Sequence, residues 1–288
     1  MHSVKRVLKS NKHIYCLIIK MGETQYFIRR FFKAYFLPSI SFKIQRILRV
    51  SRIHRNSQYE RLKKLKDRHK GERCFIIATG PSLKIEDLEK LKNETTISMN
   101  SICLAFEDTD WRPTYYGIQD ENVYRRMEKY INNLECEGKF ISQTILEQLK
   151  KEVPEDYYIF PLNLLNHKVS RKYHTKFSKD IFANVYSGYT ITYCLLQIAV
   201  YMGFKEIYLL GADCHYSSDM KHHFKDYDHI DPTFSLSGEM MTCAYRVAKQ
   251  YADRNNIRIY NATRGGMLEV FERVDLDKIL MEPFPYSI

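Results

Sequence analysis

Residues 74–83 read CFIIATGPSL. Phe75-Ile76-Ile77-Ala78 is a short apolar run of β type. It stops at Thr79-Gly80-Pro81-Ser82, and a helical pattern follows from Leu83 to Leu91. A buried strand that ends in a glycine-containing turn and enters a helix is the layout of many phosphate sites. Glycine lets the backbone approach an anion, and the free N–H groups of a helix start point at its oxygens. The turn is neither a Gly-Lys-Ser/Thr loop nor a Gly-x-Gly-x-x-Gly loop, and the same pattern also suits an ordinary strand-to-helix connection.

Outward from this stretch, residues 71–288 alternate strand and helix. Strand-like runs lie at Phe75–Ala78, Thr96–Met99, Tyr115–Ile118, Phe140–Ser142, Tyr157–Phe160, Glu206–Leu210 and Ile257–Tyr260. Helical patterns lie at Ile85–Lys92, Val123–Leu134, Tyr189–Met202 and Glu239–Asn255. This alternation predicts an α/β fold with a doubly wound, mostly parallel, Rossmann-like sheet. Ligands of such sheets bind beyond the carboxyl ends of the strands, so those ends hold the candidate chemistry. Gly80, Pro81 and Ser82 follow the first strand. Asn100 and Ser101 follow the second and suit a ribose, base or phosphate, or a helix N-cap. Asp120 follows the third and could accept from sugar hydroxyls or cap the next helix. Ser187 and Gly188 precede the long apolar helix. Asp213 ends the strand of GFKEIYLLGADCHY, ahead of His215 and Tyr216.

The segment after Asp213 is dense in polar chemistry: His215, His222, His223 and His229 fall within fifteen residues, with Asp226, Asp228 and Asp231. A long polar segment over a strand-end face usually carries function, and a lid over about 214–236 is expected. Acid–base catalysis with phosphate contacts fits better than a metal site, because the histidine spacing matches no standard ligand pattern; a solvated His-rich loop is the third reading. Asp108-Thr109-Asp110 has the form of a metal-binding DxD tripeptide, but it precedes a strand and reads as a turn.

The chain of 288 residues carries a net charge of +11, and that charge is unevenly spread. Residues 1–70 hold 19 Lys/Arg against 3 Asp/Glu, whereas 71–288 hold 26 against 31. The basic character belongs to the N-terminal arm. A mildly acidic body argues against a nucleic-acid-binding domain, which would carry its own basic face. Within the arm, Ile14 to Ile19 is too short to span a bilayer. Aromatic and aliphatic residues alternate with cations from Phe27 to Leu37. Ile44, Ile47, Leu48 and Ile53 do so with Lys43, Arg46, Arg49, Arg52 and Arg55. Such segments suit an interfacial helix on an anionic membrane surface, or a basic hairpin packed on protein. Arg61 to Lys70 reads as a solvated linker or helix. The seven scattered cysteines form no ligand motif and fit a reducing compartment. With no secretory pattern at the start, a cytoplasmic site on the inner face of the cell membrane is expected. Tyr- and Phe-rich faces suit self-association.

GPSL, the Ser-Gly pair before the long helix and GFKEIYLLGADCHY resemble the bacterial sialyltransferases of glycosyltransferase family 42. They are equally similar to the MptE-like and motility-associated-factor proteins, and YNATRGGMLEVF at 260–271 is more like that second group. The resemblance covers roughly 71–280. It implies a variant Rossmann domain of GT-A type with a small lid, no metal, and a CMP-activated donor of a nonulosonic acid such as sialic acid. The acceptor would be a hydroxyl of a glycan or glycolipid precursor, attacked with inversion. Position by position, it implies Gly80 to Ser82 at the donor phosphate, Asn100 at the donor, and Ser187 and Gly188 along the nucleotide. Asp213 would hold the cytidine end, and His215 or Tyr216 the leaving phosphate. Thr233 or Phe234 stands where the sialyltransferases have their catalytic histidine, so the base falls to His229, His223 or His222. Two other readings stay open. One is an MptE-like diphosphokinase moving diphosphate from ATP to a hydroxymethylpterin, with Mg²⁺ on Asp120 and Asp213. The other is a non-catalytic nucleotide-binding scaffold.

Overall fold

The computed structural model describes residues 12–53, 56–149, 157–164, 175–214, 224–225 and 234–282. Its centre is an eight-stranded parallel sheet in the order β10-β9-β8-β1-β2-β3-β4-β5. β1 is Arg73–Ile77, β2 Thr96–Met99, β3 Tyr115–Ile118, β4 Gly138–Ser142 and β5 Tyr157–Phe160. β8 is Glu206–Leu210, β9 Arg258–Asn261 and β10 Glu272–Arg273, and a separate pair joins β6, Leu162–Asn163, to β7, Val185–Tyr186. The seven strands expected from the sequence are all present in this sheet. They read as continuous apolar runs because helices cover both faces of a parallel sheet. Phe75, Tyr208 and Tyr260 are register partners and stack at 5.0 and 5.2 Å, an aromatic row that fixes β1, β8 and β9 against slippage.

The helices, in chain order, are α1 Lys12–Phe31, α2 Leu37–Val50, α3 Ile85–Lys90, α4 Glu121–Asn132, α5 Gln143–Leu149, α6 Ile191–Met202, α7 Phe234–Arg254 and α8 Leu276–Met281. A π-helical turn, Phe32–Phe36, joins α1 to α2. Every residue of α6 except Val200 is buried, and the helix packs on β1, β2 and β3. The absence of a β-carbon at Gly117 permits that approach, since one there would fall 2.6 Å from Leu195 Cδ2. No helix among the described residues is long and apolar enough to cross a membrane.

The structure departs from the expectation of a solvated 61–70. A short 3₁₀ helix, Glu60–Leu65, places Leu62 and Leu65 in the core with no exposed surface. Their i, i+3 spacing sits inside a run of cations that face water, so average polarity hid them. Leu62→Ala is expected to cost about 2–5 kcal/mol, the range for a cavity at a core leucine, measured as a shift in denaturation midpoint.

Candidate active site at the carboxyl ends of β1, β2 and β8

From β1 the sheet winds outward in both directions, through β2 to β5 on one side and through β8 to β10 on the other. The crevice between the ends of β1 and β8 is therefore the topological switch point. Two glycine-containing turns meet there. Ala78 N donates to Leu210 O at 2.8 Å and Gly80 N to Gly211 O at 3.0 Å. Gly211 has φ +66°, and a β-carbon on it would lie 2.5 Å from Ala78 O. Asp213, 8% exposed, reaches back across the crevice. Its Oδ2 accepts from Ser82 Oγ at 2.8 Å and from Ser82 N at 3.4 Å.

This geometry changes the reading of the GPS turn. Gly80 N is spent on Gly211, Pro81 has no N–H, Ser82 N faces Asp213, and Leu83 N closes the turn onto Gly80 O at 3.1 Å. The helix that follows, α3, starts only at Ile85. The N–H groups of Gly80, Ser82 and Leu83 are therefore committed within the protein in this conformation. Ser82 instead orients the Asp213 carboxylate, and an anion reaches the Ser82 donors only after Asp213 releases them.

The neighbouring strand end supplies the opposite situation. Asn100 has φ +49°, a left-handed geometry that asparagine tolerates better than most residues. Its backbone O accepts from Tyr116 Oη at 2.6 Å, while its buried Oδ1 has no partner among the described residues. The Ser101 hydroxyl is also buried and, among the described residues, unpartnered. Buried polar atoms are nearly always satisfied, and leaving one bare costs about 1–3 kcal/mol. Two adjacent residues carry this cost at the end of β2, beside the switch point.

The remaining described candidates have structural partners. Asp120 Oδ1 caps α4 by accepting from Val123 N at 3.0 Å. It lies at the end of β3, three strands from β8, or about 14 Å at ordinary strand spacing. Ser187 is fully buried, and its Oγ accepts from Tyr189 N at 3.3 Å. The cap of α6 is Thr190. Gly188 is required by packing, since a β-carbon there would meet Tyr193 Cγ at 2.2 Å. Asp108 of the DxD-like tripeptide pairs with Lys225, and Thr109 pairs with Glu89, as expected for a turn. His215, Tyr216, His222, His223, His229 and Thr233 lie outside the described residues, as does most of the expected lid. Phe234 is the first residue of α7. Phe224 and Lys225 are described and lie on the strand-end face: Phe224 N donates to Thr79 O at 3.0 Å and Lys225 Nζ to Leu104 O at 2.8 Å.

The structure adds residues that sequence reasoning did not select. Thr263 Oγ1 accepts from Ala212 N at 3.0 Å, and Met267 N donates to Asp213 O at 2.7 Å. Gly266 lies against Asp213, with room for no β-carbon: one would fall 2.7 Å from Asp213 O. The loop after β9 is thus the platform of the Asp213 backbone. Its signal was the Gly265-Gly266 pair just beyond a strand. Arg273 holds the same loop through Thr263 O, Gly265 O and Gly266 O.

Cys214 sits beside Asp213, where burial first and the neighbouring carboxylate second push its thiol pKa up to about 12. A group so protonated is no nucleophile at neutral pH. Iodoacetamide mapping of the native protein is expected to label exposed Cys16 rapidly and leave Cys214 unmodified over the same interval.

Residues 50–219 match the family described as 6-hydroxymethylpterin diphosphokinase MptE-like. Among solved structures, the MAf glycosyltransferase from Magnetospirillum magneticum AMB-1 is similar at 15% identity with a TM-score of 0.47, over 76% of this chain and 38% of that one. This chain therefore spans well under half of that protein's length. No curated protein sequence matches. The family match takes in β1 to β8, the GPS turn, Asn100, Ser101 and Asp213. With more than half of its 288 residues matched, the chain belongs to the MptE-like family.

Proposed function

We propose that this protein is a transferase that binds a nucleotide-activated donor at the β1/β8 crevice and moves a nonulosonate-type sugar from a CMP donor to an acceptor hydroxyl. The observation that carries the reading is the pair Asn100 Oδ1 and Ser101 Oγ beside the switch point, buried and without a partner among the described residues. Their stability cost is offset when a ligand supplies a donor to Asn100 and a partner to the Ser101 hydroxyl. Asp213 takes hydroxyl or amino donors of the nucleoside. In doing so it frees Ser82 N–H and O–H to meet the donor phosphate, so nucleoside and phosphate binding are coupled through one carboxylate. A histidine of the 215–229 segment removes the acceptor proton as the acceptor oxygen bonds to the anomeric carbon. The bond from that carbon to the phosphate oxygen breaks, and CMP leaves with the electron pair.

A second reading follows from the family's description: transfer of diphosphate from ATP to a hydroxymethylpterin. Thermal-shift titration separates the two. Stabilisation by CMP without Mg²⁺ supports the glycosyl-transfer reading. Stabilisation only by ATP with Mg²⁺ overturns it in favour of the diphosphokinase, and nucleotide binding without any donor hydrolysis leaves the scaffold reading. A sharper expectation concerns Ser101→Ala. Removing an unsatisfied buried hydroxyl is expected to stabilise the free protein by up to about 1 kcal/mol while weakening nucleotide binding about fivefold. A variant that loses stability and binds normally would show that Ser101 serves the fold alone.

A further inference from the structure

Among the described residues, every exposed large apolar side chain except Tyr130, Met267 and Met281 lies between Met21 and Ile53. On α2 the pattern is ordered. Leu37, Ile40, Ile44 and Ile47 are 57%, 39%, 50% and 62% exposed and recur every three or four residues, which makes one continuous stripe. At 100° per residue, Arg49 lies about 160° from the centre of that stripe. Arg49 is buried and turned inward, donating from Nε to Phe182 O at 2.7 Å and from Nη2 to Ala183 O at 2.5 Å. The apolar stripe therefore points away from the body. Exposed cations accompany it: Arg29, Arg30, Lys33, Lys43 and Arg46, with Glu23 the one acidic residue between 12 and 53.

We infer that the α2 stripe is the docking face for an anionic lipid surface, with Arg49 as the pin that ties the docked helix to the body. An apolar stripe flanked by cations matches the acyl boundary and the headgroups of such a surface. A second copy of this chain is the poorer occupant, because the same excess of positive charge would face itself. The pin gives the docking a consequence at the site. Phe182 and Ala183 lead directly into β7 and then into Ser187 and Gly188. Lipid attachment thus bears on the loop that opens α6, without any part of α2 reaching the crevice.

Flotation of the full chain with phosphatidylserine-containing and pure phosphatidylcholine vesicles tests this. Binding to the anionic vesicles is expected, weakening as salt screens the cations. The Ile40→Asp/Ile44→Asp variant is expected to lose roughly a hundredfold in affinity, with no fall in melting temperature because both side chains are already exposed. Lys43→Gln, about 80° from the centre of the stripe, is expected to weaken binding about fivefold, and Arg46→Gln, about 140° from it, by less. Equal binding to both vesicle types, no binding to either, or unchanged binding by the double variant would overturn the inference. So would light scattering that shows a dimer which the double variant splits while its vesicle binding persists.

Discussion

Gly80→Ala is expected to destabilise the protein by about 3 kcal/mol and to abolish nucleotide binding, because the end of β1 has no room for one methyl group. A β-carbon at Gly80 would lie 2.0 Å from Asp213 Oδ2 and 2.5 Å from Gly211 O. The carboxylate could swing aside, at the cost of its bonds to Ser82. The carbonyl cannot, since it belongs to the turn that closes β8 and already accepts from Gly80 N. Overpacking of this kind typically costs 1–3 kcal/mol, and loss of a buried hydrogen-bonded carboxylate adds to it. The two contributions separate in a double-mutant cycle. Asp213→Ala removes the nearer clash but not the backbone one, so the Gly80→Ala/Asp213→Ala protein is expected to recover part of the stability and none of the binding. Guanidinium midpoints and nucleotide thermal shifts on the four proteins report both. An unchanged midpoint for Gly80→Ala would mean that the strand ends sit further apart than described.

The contrast between what the sequence revealed and what it hid follows from the range of the interactions. β1, β2, β3 and β8 were legible because a strand buried on both faces must be apolar throughout, a local property. β10 was not, because Glu272 and Arg273 are both exposed and pair along one edge only. The switch-point candidates were found by topology, since Ser82 and Asp213 each follow a strand of the predicted sheet. That Ser82 donates to Asp213 across 131 positions is a tertiary fact with no local trace, and it is what commits the turn's donors. Asn100 and Ser101 were visible as small polar residues after a strand. Their lack of partners becomes visible only when everything around them is placed. Arg49 is the clearest case of concealment. In sequence it is one more cation spaced like Arg46 and Arg52. Which of the three turns inward depends on where the 182–183 carbonyls stand.

Arg49 also carries the second large effect. Arg49→Ala is expected to cost about 3 kcal/mol, read from guanidinium unfolding, and to weaken nucleotide binding as a consequence. Arg49 is 5% exposed, and its guanidinium lies 4.5 Å from the centre of the Tyr59 ring and satisfies two main-chain carbonyls of a buried loop. Burial lowers its pKa from the ordinary value, with Tyr59 and Asp180 pulling the other way. An arginine so placed still carries its proton at neutral pH. Truncation leaves both carbonyls without a strong donor, and hydrogen bonds to a charged group are worth about 1.5–3 kcal/mol each. Arg49→Lys is expected to recover less than half of the loss, since one ammonium on a flexible stem does not reproduce a planar fork to two acceptors. The nucleotide effect discriminates between two roles for the arm. If α2 merely hangs from the body, Arg49→Ala stays within about 0.5 kcal/mol of the parent, as for a surface substitution, and binding is unaffected. If the pin holds the 181–188 loop, stability and affinity fall together, and vesicle binding by the exposed stripe survives. That last combination would place lipid attachment and donor binding on opposite ends of one rigid connection.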